Sequence, residues 1–159
     1  MTRSTDAIEK RLRDLGISLP AAPAPVANYV PTLRVGRLLF VSGQMSRTED
    51  GRVLAGKLGA GVDIAGGRDA ARVCALNILS QARAALGSLD RIRQIVKLTG
   101  FVNALPGFSD HPAVVNGCSD LLVEVLGEKG RHTRSAVGVA GLPLDAAVEI
   151  EAVIDVDEA

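Results

Sequence analysis

Tryptophan is absent, and three Phe and one Tyr make the aromatic share only 3%. A core must therefore be built from Leu, Ile, Val and Ala, and stacking platforms for single-stranded nucleic acid are scarce. Charge of one sign is also missing. Eighteen Lys and Arg balance eighteen Asp and Glu, leaving no surplus to neutralise phosphates, the term that dominates non-specific nucleic-acid binding. A nucleic-acid partner is not expected. No apolar run approaches the roughly 18 residues of a membrane span, and "MTRSTDAIEKRLRDLG" lacks the apolar stretch of a secretory signal. The expectation is a cytoplasmic protein with no membrane partner. Cysteine is down to Cys74 and Cys118, in no CxxC spacing, which points to buried free thiols rather than a bridge or metal site. No Ser/His/Asp, Cys/His or metal-ligand cluster is legible, so nucleophilic and metal catalysis lack support.

What is present is an aliphatic chain, 47% apolar over 159 residues. That length buries roughly two-thirds of its unfolded surface without a staple. One domain, residues 1–159, is expected, opening with a helix and a Pro/Ala-rich connector over residues 1–27. Ile8, Leu12 and Leu15 fall at helical spacing, with Ser4 or Thr5 as cap and Gly16 as stop. The prolines of "LPAAPAPVANYVPT" forbid helix. Residues 33–35 and 38–41 read as a hairpin around Gly36 and Arg37. Residues 46–67 form a polar, Gly-rich loop that matches neither the dinucleotide nor the P-loop fingerprint.

Ala71, Cys74, Ala75, Ile78, Leu79, Ala82 and Leu86 make one apolar stripe, predicting a helix over 68–86 that Gly87 ends. A strand over 94–103, a second long helix over 109–126 and two final strands follow. This order predicts an α+β fold, a single mixed sheet with both long helices on one face. The other, aliphatic face would be wet in a monomer, so oligomerisation through it is expected.

The final strands, "RHTRSAVGVAGLPLDAAVEIEAVIDV", carry charges that such a sheet does not need. Side chains two apart share a face, so Arg134 is followed on its own side by Ala136 and Gly138, which leave space beside the guanidinium. Glu149 and Glu151 are neighbours on the non-core side, roughly 7 Å apart. An arginine beside empty volume can hold a small carboxylate bidentately while an acid handles a proton or water. Edge charges or a cross-strand ion pair fit the same pattern. Ser42, Gly43 and Gln44 end a strand and can offer a hydroxyl and backbone N–H to a ligand, or simply turn. Asn116 lies in the second long helix as a ligand contact or a solvated residue. His111 suits the helix start, and His132 a loop or strand edge.

These residues together resemble the RidA/YjgF family of enamine/imine deaminases, in a longer branch. The likeness runs from Tyr29 to Val156 and rests on "SGQ" at 42–44, "FVN" at 101–103, "VNG" at 115–117 and "RS-x-V-x-V-x-x-LP…VEIEA" at the C-terminus. It implies a fold like bacterial chorismate mutase, assembled as a homotrimer with ligand sites in clefts between subunits. It implies Arg134 as the grip on a substrate carboxylate and Glu149 as the acid that positions water. Tyr29, Ser42, Gly43 and Asn116 are implied as substrate contacts. The implied reaction turns imines of the 2-aminoacrylate type into 2-oxo acids and ammonia without a cofactor.

The chain departs from the family pattern at Ala136, where cysteine is frequent, at Gly138, where an acid is common, and at Gly141, where arginine is. Ser119 stands where an aromatic often follows the asparagine. These changes alter the cleft and with it the substrate. A non-catalytic trimer that binds a small carboxylate metabolite or a protein is the competing reading, though such a binder needs only Arg134. Endoribonuclease activity, also attached to the family, is disfavoured by neutral charge and the lack of a legible His pair.

Overall fold

The structure, a computed structural model, describes residues 7–25 and 27–158. The proposed caps Ser4 and Thr5 lie outside the described residues. Helix α1 spans Ala7–Asp14, α2 Ile64–Leu86 and α3 His111–Leu126. The strands are β1 Thr32–Val35, β2 Leu38–Met45, β3 Lys57–Leu58, β4 Gly61–Val62, β5 Ile92–Asn103, β6 Thr133–Val139 and β7 Val148–Val156. Five of them make one sheet in the order β1-β2-β7-β5-β6, and β3 and β4 pair separately. Only β5 and β6 run parallel within the larger sheet; its other pairs are antiparallel. The expected α+β mixed sheet is present.

Alternation decides which face meets the helices. Val148, Ile150, Ala152, Ile154 and Val156 of β7 are all buried beneath α2 and α3, together with Leu98 and Val102 of β5. Burying each of the Val, Leu and Ile side chains is worth about 1.5–3 kcal/mol, so this face holds the fold together. Two close approaches shape the helix layer. A Cβ on Gly117 would fall 2.8 Å from the Arg68 carbonyl carbon, so α3 can touch the α2 backbone only through glycine. Gly100 does the same for the sheet, where a Cβ would press on Val115 at 2.7 Å. The opposite face stays uncovered, with Leu33, Val35, Leu38, Phe40, Val96 and Val137 all exposed.

Several element boundaries differ from the sequence reading, and β5 starts at Ile92, two residues before the expected Gln94. Helix α2 starts at Ile64, inside the stretch read as loop, because Asp63 caps it by accepting the Gly66 N–H at 2.7 Å. Gly66 and Gly67 cost little in a first turn, and Gly67 packs against Leu58 and Val114. Strand β2 does not end at Val41 but runs to Met45 through a bulge at Ser42 and Gly43. Helix α3 starts at His111, two residues later than Ser109. The excursion between β2 and α2 is tied down by buried amides. Asn77 donates to the carbonyls of Met45 and Arg47, and Asn103 bridges Lys57 and Asp145.

Candidate functional site

The predicted residues separate into two groups on opposite faces of the sheet. On the open face, Glu149 of β7 pairs with Met45 of β2 on one side and Phe101 of β5 on the other. The bulge brings Gly43 against it. A Cβ at residue 43 would overlap Glu149 Oε1 and sit 3.0 Å from Cδ, so the carboxylate occupies the volume that glycine leaves empty. Ser42 donates its hydroxyl to the Val30 carbonyl at 2.8 Å, and its N–H to the Pro31 carbonyl. That fixes the segment carrying Tyr29, which lines one depression with Gly43, Gln44 and Met45. Gln44 is buried and donates its amide to the Ser42 carbonyl, which rigidifies the bulge. Glu149 is half-buried. Burial, and then the charge of Glu151, raise its carboxyl above the usual range. Glu151 itself is exposed beside it.

The second group lies on the helix face at the sheet edge. Arg134 of β6 is level with Leu98 of β5, whose side chain points into the core, so Arg134 also points toward the helices. Its guanidinium lies along α3, donating to Ser119 Oγ at 3.0 Å and to the Pro112 carbonyl at 3.2 Å. Asn116 falls between those two residues on the same helical stripe and is half-buried. The space left by Ala136 and Gly138 is not all empty. The His111 ring, edge-on to Phe108 at 5.3 Å, crosses Gly138, where a Cβ would meet His111 Cδ2 at 3.2 Å. His111 thus lines this cleft as well as starting α3.

Arg134 and Glu149 do not meet within one chain. Glu149 is level with Phe101, and Phe101 with Val137, so the two strands are separated by about 10 Å across the sheet and the side chains leave opposite faces. Among the described residues, neither side chain belongs to an ion pair. The cross-strand ion pair considered from sequence is therefore absent there. Cys74 and Cys118 are free and buried, as expected. Burial pushes the Cys118 thiol up to about 12 and raises Cys74 as well, so both stay protonated. His132 lies in the loop just before β6, as expected, and its ring nitrogens bond Ser119 and the Gly130 carbonyl, contacts that the sequence did not indicate.

Comparison with known proteins places the fold in a family. Residues 9–154 match the family described as "YjgF/chorismate mutase-like, putative endoribonuclease". The chain belongs to the RidA/YjgF family. It is similar to protein TCP17 of Trypanosoma cruzi, at 48% identity over 94% of each chain. It is also similar to a 2-iminobutanoate/2-iminopropanoate deaminase of Dermatophagoides farinae, at 29% identity over 89% of this chain and 95% of that one. Among solved structures it is similar to Atu1372 of Agrobacterium tumefaciens, a protein of unknown function. That match has 48% identity, 96% coverage of both chains and a TM-score of 0.88. The fold is the chorismate-mutase-like fold of this family. Family names of both kinds, imine deaminase and endoribonuclease, occur among its relatives. No helix among the described residues is long and apolar enough to cross a membrane.

Proposed function

We propose that the protein hydrolyses small 2-imino acids, of the kind formed from 2-aminoacrylate, to 2-oxo acids and ammonia. The site is a cleft between copies of the chain, in the homotrimer that the family resemblance implies. Arg134 of one copy grips the substrate carboxylate, and Glu149 of a neighbour handles the water. The observation that carries the reading is that two half-buried charges, with no ion-pair partner among the described residues, stand at opposite faces of one sheet. Each is positioned, and each is idle in a single chain.

The chemistry asks little of the protein. An imine carbon is already electrophilic, so orientation and one proton-handling group suffice, and no cofactor is needed. Of the five N–H groups of Arg134 two are used on α3, which leaves enough for a bidentate carboxylate. Glu149 takes a proton from water as the oxygen attacks the carbon of the protonated imine, giving a carbinolamine. Glu149 returns that proton to the nitrogen and takes up the hydroxyl proton as the C–N bond breaks, so ammonia leaves, the carbonyl forms, and the last proton passes to ammonia or solvent. A carboxyl raised by burial is a better base for this than an ordinary glutamate. Tyr29, Gly43 and Asn116 line the two sides of the cleft as substrate contacts, while Ser42, whose hydroxyl and N–H are both donated to the Val30 and Pro31 carbonyls, holds the Tyr29 segment in place rather than offering those donors to the ligand.

The test generates 2-imino acids in place with an amino-acid oxidase and follows the 2-oxo acid. The wild type accelerates its appearance, and Arg134→Ala or Glu149→Gln abolishes the acceleration. If no substrate is turned over faster than with Arg134→Ala, the deaminase reading fails. Heat of binding for 2-oxo acids that depends on Arg134, without turnover, would mark a carboxylate binder instead. RNA cleavage that survives both substitutions would point to a nuclease.

A further inference from the structure

The hydrogen bonds around Arg134 have a fixed direction. A guanidinium only donates, and the Gly130 carbonyl only accepts. His132 Nδ1 lies 2.6 Å from that carbonyl and so carries the ring proton. Its Nε2, 2.8 Å from Ser119 Oγ, is then a lone-pair acceptor that takes the hydroxyl proton. The serine oxygen is left free to receive Arg134 at 3.0 Å. Each donor in the row finds one acceptor, provided the imidazole is neutral.

We propose that Ser119 and His132 are positioning residues that aim Arg134 at its ligand, and that the aim is correct only while the His132 ring is neutral. This rests on the carboxylate-clamp reading of Arg134. Pro112 and Ser119 lie seven residues apart on α3, about 10 Å along its axis, so two anchors lay the guanidinium along the helix instead of letting it swing into solvent. Protonated His132 reverses the row. Nε2 becomes a donor facing an oxygen that already receives Arg134, the hydroxyl must find another acceptor, and a second cation stands beside the first. Burial lowers the His132 pKa, the Gly130 hydrogen bond partly opposes it and the Arg134 charge lowers it further, and the net downward shift favours the neutral ring.

The other charged groups around the ring are engaged elsewhere. Asp120 on α3 is held by Arg68, and Glu124 by Arg72. In the turn before β6, Glu128 pairs with Arg131, while Lys129 donates to the Ile92 carbonyl at the start of β5. The Cys118 thiol on α3 is neutral. Arg134 is thus the charge that bears on His132, and His132 the titrating group behind Arg134.

The full-length protein is tested with Ser119→Ala, Ser119→Thr, His132→Gln and Arg134→Ala. Two readouts are the dissociation constant for 2-oxobutanoate by calorimetry and the KM and kcat for imine hydrolysis, each between about pH 5 and 8. Ser119→Ala is expected to raise both constants about tenfold, the worth of one charge-assisted hydrogen bond, while kcat changes less than KM. Ser119→Thr, which keeps the hydroxyl, restores them. Wild-type affinity is expected to fall as the pH drops through the His132 ionisation, and His132→Gln, which cannot ionise, loses that limb. Unchanged affinity in Ser119→Ala, or an acid limb in affinity that persists in His132→Gln, overturns the positioning role. If Arg134→Ala itself leaves affinity unchanged, the clamp reading has failed. If only Arg134→Ala weakens binding, the clamp stands and the positioning does not. Should Ser119→Ala not fold, Ser119→Thr with near wild-type constants and His132→Gln without the limb still decide for the proposal. Their opposites decide against it.

Discussion

Two dead variants should make a live enzyme. Arg134→Ala keeps an intact Glu149 face, and Glu149→Gln keeps an intact Arg134 edge. Alone, each is expected to lose at least a hundredfold in rate, the usual worth of a proton-handling group or a charged anchor. The side chains leave opposite faces of the sheet, so the proposed site draws one from each of two copies. In an equal, random mixture, half of the arginines and half of the glutamates are intact. About one quarter of the sites are then wild type by chance pairing across a cyclic interface. The two variants are co-expressed in equal amounts, the whole mixture of oligomers is purified together without selecting a composition, and 2-oxo acid formation is measured. About a quarter of wild-type activity is expected. A control mixes wild type with the double variant: sites between copies again give about a quarter, whereas sites within one chain would give about half. Mixed single variants that stay at the level of their parents, with the control near half, would refute the two-copy site.

Gly43→Ala should act on Glu149 rather than on the fold. Its Cβ meets only the end of a flexible side chain, so melting should move little, while a carboxylate displaced by about 1 Å should lose roughly a hundredfold in kcat. The loss should not add to that of Glu149→Gln. Gly117→Ala should do the reverse, since its Cβ meets the Arg68 backbone, which cannot yield. A loss of about 1–3 kcal/mol in urea unfolding is expected from such overpacking. The raised Glu149 carboxyl should give kcat an acid limb above the usual glutamate range, read from a pH–rate profile and absent in Glu149→Gln. Because that pKa is raised in the folded chain, ionisation of Glu149 opposes folding of the single chain. Its contribution is favourable below the unfolded value and is lost as pH rises through the folded one. Cys74 and Cys118 should resist thiol reagents until the protein is unfolded, as mass spectrometry after alkylation would show.

Periodicity carried the reading of the helices and of β7 because their buried stripes repeat at one fixed spacing. It failed where glycine breaks the pattern. Gly66 and Gly67 hid the first turn of α2, although Asp63 three residues before Gly66 was a legible cap. The Ser42–Gly43 bulge looked like a strand end, since an inserted residue shifts the alternation that defines a strand. In the site, the residue types at Arg134 and Glu149 were legible, but their faces depended on register, which is a property of paired strands and not of either one alone. His132 was legible as a loop or strand-edge residue but its bonding partners were not. Its neighbours in sequence say only that it precedes a strand, while its partner Ser119 lies thirteen residues away on a helix.

An exposed arginine on an edge strand has a second use, since charge there discourages pairing with another sheet. Strand β6 is such an edge, and guarding it is the competing use of Arg134. Its conformation argues otherwise. A guarding side chain works best spread into solvent, where it keeps its rotamer freedom. Arg134 is half-buried and held at two nitrogens along α3. Fixing an arginine costs up to about 2 kcal/mol of side-chain entropy, which two hydrogen bonds to neutral oxygens offset without a large surplus. The arrangement stabilises the single chain little, yet it presents a fork of free N–H groups in one orientation. Preorganisation of that kind has its main effect when a planar anion arrives, because the ordering cost is then already met before binding.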